Sequence, residues 1–128
     1  MLEISRRIEA SAERAWDLLV DTGRWPEWGP SVRAVECATR RIGPGSEGRV
    51  RVALGPWLPF RITDWEEGRA WRWSVAGVTA TGHRVAPLAF GRCELTFEVP
   101  SWAPFYLPVC AAALRRIEEL CRRAPDRA

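Results

Sequence analysis

Residues 11–36, SAERAWDLLVDTGRWPEWGPSVRAVE, set a helix, a tryptophan-rich knuckle and the start of a strand in a fixed order. In Ser11 to Asp21 the apolar residues Ala12, Ala15, Trp16, Leu19 and Val20 recur at helical spacing, so one stripe of the helix is buried. Ser11 is placed to cap its start and Glu13 suits the positive end of the helix dipole. Gly23 is expected to stop the helix. Trp25-Pro26-Glu27-Trp28 then fits one short helical turn, with Pro26 where its missing N–H costs nothing, and Gly29-Pro30 ends that turn.

Downstream, glycine and proline punctuate the chain at Gly43-Pro44-Gly45, Gly55-Pro56, Glu67-Gly68, Gly77, Pro87 and Pro100, leaving segments of strand length. Within them apolar and polar residues alternate. Val50 and Val52 oppose Arg49 and Arg51; Trp71, Trp73 and Val75 oppose Arg72 and Ser74; Cys93, Leu95, Phe97 and Val99 oppose Arg92, Glu94, Thr96 and Glu98. That pattern predicts an antiparallel sheet wet on one face and covered on the other. With a first strand over Leu2 to Glu9 the count is seven. Trp65 does not fit: Phe60 and Ile62 claim the inner face, and only a bulge would bring Trp65 inward too.

The cover is expected from the C-terminus. Trp102, Phe105, Tyr106, Val109, Cys110, Ala113, Leu114, Ile117, Leu120 and Cys121 form a wide helical stripe opposite Arg115, Arg116, Glu118, Glu119, Arg122 and Arg123. Ser101 is a candidate cap, while Pro108 either kinks this helix or marks its true start. No repeat, low-complexity tract or linker interrupts the 128 residues, so one α+β domain over 1–128 is expected.

The order strand, two short helices, six antiparallel strands and long helix resembles the helix-grip fold of the START-like superfamily, which includes polyketide cyclases and dehydrases, lipid-transfer START domains and plant pathogenesis-related allergens. The resemblance spans nearly the whole chain. It is most specific in Ala12 to Leu19, Asp21 and Trp25 to Trp28; Gly45-Glu47-Gly48, Trp71-Arg72-Trp73 and the strand holding His83 are similar to the polyketide-cyclase branch. It implies a cavity between the sheet and the last helix that takes an apolar small molecule. It implies no particular reaction, because the matching motifs are structural.

If alternation holds, the cavity wall carries Val50, Val52, Phe60, Ile62, Trp71, Trp73, Val75, Thr79, Thr81, His83, Val85, Leu95 and Phe97, with Phe105, Val109 and Ala113 from the helix. The same residues would also fill a solid core, since periodicity does not separate the two. His83, the only histidine, is the candidate general base or orienter, with Asp64, inward by parity, and Tyr106 as candidate assistants. Arg6 falls on the inward parity of the first strand: it would either anchor a ligand carboxylate or, at a sheet edge, return to solvent.

Three classes of function follow: a carrier or binder of a lipid, quinone or polyketide-like molecule; a cyclase or dehydrase using His83; or an interaction module with a solid core, served by Trp65 and the Trp57 loop. The inventory favours the first. All nineteen basic residues are arginine, so no lysine is present for Schiff-base or general-base chemistry. Cys37, Cys93, Cys110 and Cys121 match no metal spacing and are expected as free thiols, and no metal or cofactor is anticipated. A net charge of +3 is too weak to argue for nucleic acid, and the N-terminus lacks the apolar run of a signal peptide, which reads as cytoplasmic with no transmembrane segment. The cavity entrance is expected at the 55–59 or the 87–91 loop.

Overall fold

The computed structural model describes residues 1–53 and 55–123. Strand β1 (Leu2–Ile8) leads into α1 (Ala12–Val20) and the single turn α2 (Trp25–Trp28). Six strands follow: β2 (Val32–Cys37), β3 (Glu47–Val52), β4 (Trp57–Glu66), β5 (Ala70–Val75), β6 (Val78–Leu88) and β7 (Arg92–Val99). Helix α3 (Leu107–Arg123) closes the chain, preceded by a 3₁₀ turn at Pro104–Tyr106. The strands form one antiparallel sheet in the order β1-β7-β6-β5-β4-β3-β2, so the first strand crosses to pair with the last and the remainder meander. This is the expected helix grip.

Ser11 caps α1, its Oγ accepting the Arg14 N–H at 3.1 Å. The helix ends at Asp21, two residues before the expected stop at Gly23, and the Asp21 carboxylate accepts the Gly23 N–H at 2.9 Å. A helix end leaves carbonyls without partners. The tryptophan knuckle supplies them: Trp25 Nε1 donates to the Leu19 carbonyl and Trp28 Nε1 to the Leu18 carbonyl, each at 2.8 Å. With both indoles buried, α2 is riveted to α1 and pushed against the sheet. There Trp25 stacks on Trp71 at 5.5 Å and meets Phe60 and Trp73 at an angle.

Two bulges correct the parity expectations. An extra residue, Thr63, between the Ile62–Trp73 and Asp64–Arg72 pairs turns Trp65 inward, where it meets Trp16 at 5.4 Å, and turns Asp64 out to solvent. In β6 an extra residue between the Gly82–Arg72 and Thr79–Ser74 pairs keeps Thr81, His83 and Val85 inside but leaves Thr79 exposed. Such bulges re-aim side chains without ending a strand.

Pro108 lies in the first turn of α3 and marks the helix's true start. Trp102 and Phe105, expected on the buried stripe, precede the helix and are 64% and 70% exposed. Arg6 keeps its side chain 41% exposed and donates to the buried Glu118 of α3 through Nε at 3.1 Å and Nη2 at 2.8 Å. On the outer face Glu98 accepts from both Arg72 (2.7 Å) and Arg84 (2.9 Å), and Arg84 reaches Glu3. Gly82, opposite Glu98, makes room for this: a Cβ there would overlap the Glu98 carboxylate.

Candidate functional site

The sheet, α2 and the start of α3 do not pack solid. Between β3, β5, β6 and the 99–106 segment lies an apolar chamber of about 270 Å³. Val50, Val52, Val75, Val78, Ala80 and Val99 form its walls, and Pro100, Trp102, Ala103 and Phe105 its rim. Behind it, between α2, α3 and the β5–β7 sheet, is a second space of about 40 Å³, room for roughly three waters. Trp25, Trp28, Trp71, His83, Phe97, Val109, Cys110 and Ala113 surround it. Ser31, Val32, Trp73, Thr81 and Tyr106 line both chambers and form the neck between them. Neither lining contains a charged side chain.

The mouth opens beside the β5–β6 turn and the exposed Trp102 and Phe105. Residues 57–59 of the expected 55–59 entrance loop belong to β4, and 87–91 lies at the opposite end of the eleven-residue β6. Trp57 is half-buried beneath the Arg49 guanidinium at 5.4 Å, and Trp65 is packed on Trp16.

His83 is buried at the inner end, its ring 4.0 Å from Trp71 and edge-on to Phe97 at 4.8 Å. Its Nδ1 lies 3.4 Å from the Trp71 carbonyl, which only accepts, so Nδ1 carries the proton. Nε2 is then the acceptor and takes the Thr81 hydroxyl at 3.0 Å. Thr81 Oγ1 in turn accepts Trp73 Nε1–H at 3.0 Å. The chain Trp73 to Thr81 to His83 to the Trp71 carbonyl thus runs in one direction with both imidazole nitrogens engaged. Burial pushes the His83 pKa down to about 3, only partly opposed by the Trp71 carbonyl, so the ring is neutral at neutral pH.

Tyr106 Oη and Ser31 Oγ meet at 2.5 Å across the neck. Burial raises the Tyr106 pKa, tempered by the Ser31 hydrogen bond. Two hydroxyls sharing one hydrogen bond leave one O–H donor and several lone pairs for another oxygen. Burial also pushes the Cys93 and Cys110 thiols up to about 11, which leaves no nucleophilic thiolate there.

The residues predicted for one cavity wall therefore divide. Val50, Val52, Trp71, Trp73, Val75, Thr81, His83, Phe97, Phe105, Val109 and Ala113 border the two chambers, as does the exposed Thr79, whereas Phe60, Ile62, Val85 and Leu95 are buried core outside their linings. Asp64 is on the opposite face of the sheet, beside an open trough of about 340 Å³ whose lining includes Arg72, Arg84, Glu98, Trp71 and His83. Its carboxylate lies 3.4 Å from the Thr63 hydroxyl, while the His83 ring nitrogens face Thr81 and the Trp71 carbonyl. Ser31 and Val32 carried no sequence signal, because they become wall only when 99–106 folds over them. Among the described residues no cluster of His, Cys, Asp and Glu could hold a metal ion, and no helix is long and apolar enough to cross a membrane.

Solved structures with this architecture include the Zhui aromatase/cyclase from Streptomyces sp. R1128, with 15% identity and a TM-score of 0.73 over 95% of this chain and 93% of that one. Protein MLL2253 from Mesorhizobium loti aligns at 12% identity and TM-score 0.75 over 98% of each chain. Norcoclaurine synthase from Thalictrum flavum, solved with dopamine and hydroxybenzaldehyde, aligns at 14% identity and TM-score 0.63 over 98% of this chain and 88% of that one. Identities this low speak to fold alone, and no curated protein matches the sequence. The family model described as polyketide cyclase / dehydrase and lipid transport matches residues 2–124, which takes in the tryptophan knuckle, every strand of the sheet and the closing helix. To that family the chain belongs.

Proposed function

We propose that this protein binds and carries an uncharged, largely apolar small molecule, a lipid, quinone or polyketide-like compound, with its one polar oxygen at the neck between the chambers. The observation that carries this reading is the lining: an apolar chamber of about 270 Å³ without a charged side chain, ending at the hydroxyls of Ser31, Thr81 and Tyr106. A charge drawn into such a site would lose its hydration with no ion to replace it. A hydroxyl or carbonyl would find partners. The reading takes a small molecule as the partner and the cytoplasm as the setting.

The competing role is a cyclase or dehydrase with His83 as base, assisted by Asp64 or Tyr106. A base needs a free imidazole nitrogen and a proton affinity near neutrality. The engaged nitrogens of His83 and its lowered pKa favour the orienting role, in which His83 aims the Thr81 hydroxyl and through it the Trp73 indole.

Native mass spectrometry of the purified protein, followed by calorimetric titration with 1-decanol and decanoate, tests the proposal. Decanol is expected to bind at least about tenfold more tightly than decanoate, and Val52→Trp, which fills the chamber from its wall, to abolish binding. Failure to bind any neutral apolar compound, or equal affinity for the carboxylate, would sink it.

A further inference from the structure

The two chambers share their neck residues, and the narrowest polar contact between them is the 2.5 Å bond from Tyr106 to Ser31. These residues come from segments with separate anchors. Ser31 follows the Gly29-Pro30 exit of α2, which is held to α1 by the two indole bonds. Tyr106 ends the 3₁₀ turn that joins β7 to α3, its N–H bonded to the Ala103 carbonyl. That turn carries the exposed Phe105 and follows the exposed Trp102, and is tied to Ser31 through the Tyr106 hydroxyl. Tyr106 and Ser31 both border the two spaces, and the hydrogen bond between their hydroxyls joins the two segments there.

We propose that Tyr106, latched to Ser31, is the gate that sets how deeply a ligand enters and so which chain lengths the protein accepts. With the latch closed, a ligand fills the outer chamber and its oxygen stops at Ser31, Thr81 and Tyr106. With the ring swung aside, the two spaces become one and the ligand reaches His83 and the indoles of Trp28 and Trp71. The proposal rests on the ligand-binding reading above and adds to it the residue that determines specificity.

The n-alkanols from 1-hexanol to 1-dodecanol serve as probes, titrated by calorimetry, with the His83 ring nitrogens followed by NMR. While apolar room remains, each added methylene tightens binding about fourfold; once the chamber is full, the gain stops. In the wild type the gain is expected to stop at a length that leaves the His83 signals unmoved. In Tyr106→Ala the stop shifts by about two or more methylenes at that same increment and the longer alkanols move the His83 signals. Tyr106→Phe keeps the ring but loses the latch, and is expected to keep the wild-type stopping length while associating severalfold faster in stopped flow. Should Tyr106→Ala lose the native spectrum, Tyr106→Leu carries the same comparison. The same stopping length with and without the ring, or His83 signals that move in the wild type, would overturn the gate and leave the carrier reading standing. No binding of any alkanol to any variant would instead overturn the carrier reading itself.

Discussion

Lowering the pH should destabilise this protein through one residue, His83. Its pKa falls from 6.5 in the open chain to about 3 in the fold because burial among Trp71, Phe97 and Trp28 excludes the charged ring. A group whose folded pKa is depressed binds protons more readily when unfolded. The folded state therefore loses ground as pH drops from 6.5 toward 3, and this contribution is fully present only above 6.5. Each pH unit inside that window is worth at most about 1.4 kcal/mol, so between neutrality and about pH 4.5 the loss is about 2–3 kcal/mol. The assay is urea unfolding across that range for the wild type and His83→Gln, whose amide keeps a donor for the Trp71 carbonyl and an acceptor for Thr81 but does not titrate. Carboxylates that titrate over the same range largely cancel in the difference. Equal slopes for the two proteins would refute the neutral, engaged imidazole and reopen His83 as a base.

Trp25→Ala removes the indole that both stacks on Trp71 and caps the Leu19 carbonyl, and should cost about 3–5 kcal/mol in urea unfolding; a loss under about 1 kcal/mol would show that the knuckle is not the pin of the fold. Gly82→Ala should cost about 1–3 kcal/mol by pushing Glu98 off Arg72 and Arg84, and markedly less in a Glu98→Ala background, where only the contacts to Arg72 Cγ at 3.1 Å and the Cβ of residue 98 at 3.2 Å remain. With Ellman's reagent at neutral pH, Cys37 should react in the native protein while Cys93, Cys110 and Cys121 label only as it unfolds; rapid native labelling of a second thiol would contradict their burial.

The frame of this molecule is legible in its sequence because local signals and long-range packing agree. The Trp16 stripe, the Trp25 to Trp28 turn and the alternation through β3, β5 and β7 each say which face a side chain takes, and each is obeyed, although Thr96 and Glu98 on the outer face of β7 are buried beneath Ser5, Arg72 and Arg84. What misleads is parity carried across a bulge. One extra residue at Thr63 exchanges the faces of Asp64 and Trp65, which moves Asp64 to the outer trough that His83 also borders and supplies the missing place for Trp65. The extra residue in β6 likewise turns Thr79 outward. Helical spacing overreached at the C-terminus, where Pro104 and Pro108 hold Trp102 and Phe105 outside the helix and so at the rim of the chamber. The neck is only partly legible: Trp73, Thr81 and Tyr106 are named by the sequence, but Ser31 and Tyr106 meet across 75 residues, and neither carries a local pattern that names the other.

The central claim is that a neutral apolar molecule occupies the chamber between the sheet and the turn before α3. An amide-resolved NMR titration with 1-decanol tests it most directly. Shifts concentrated at Val52, Val78, Ala80, Thr81, Val99 and Tyr106, with the outer face silent, are the predicted result. Shifts confined to the charged trough at Arg72, Arg84 and Glu98, or none at saturating decanol, would contradict it.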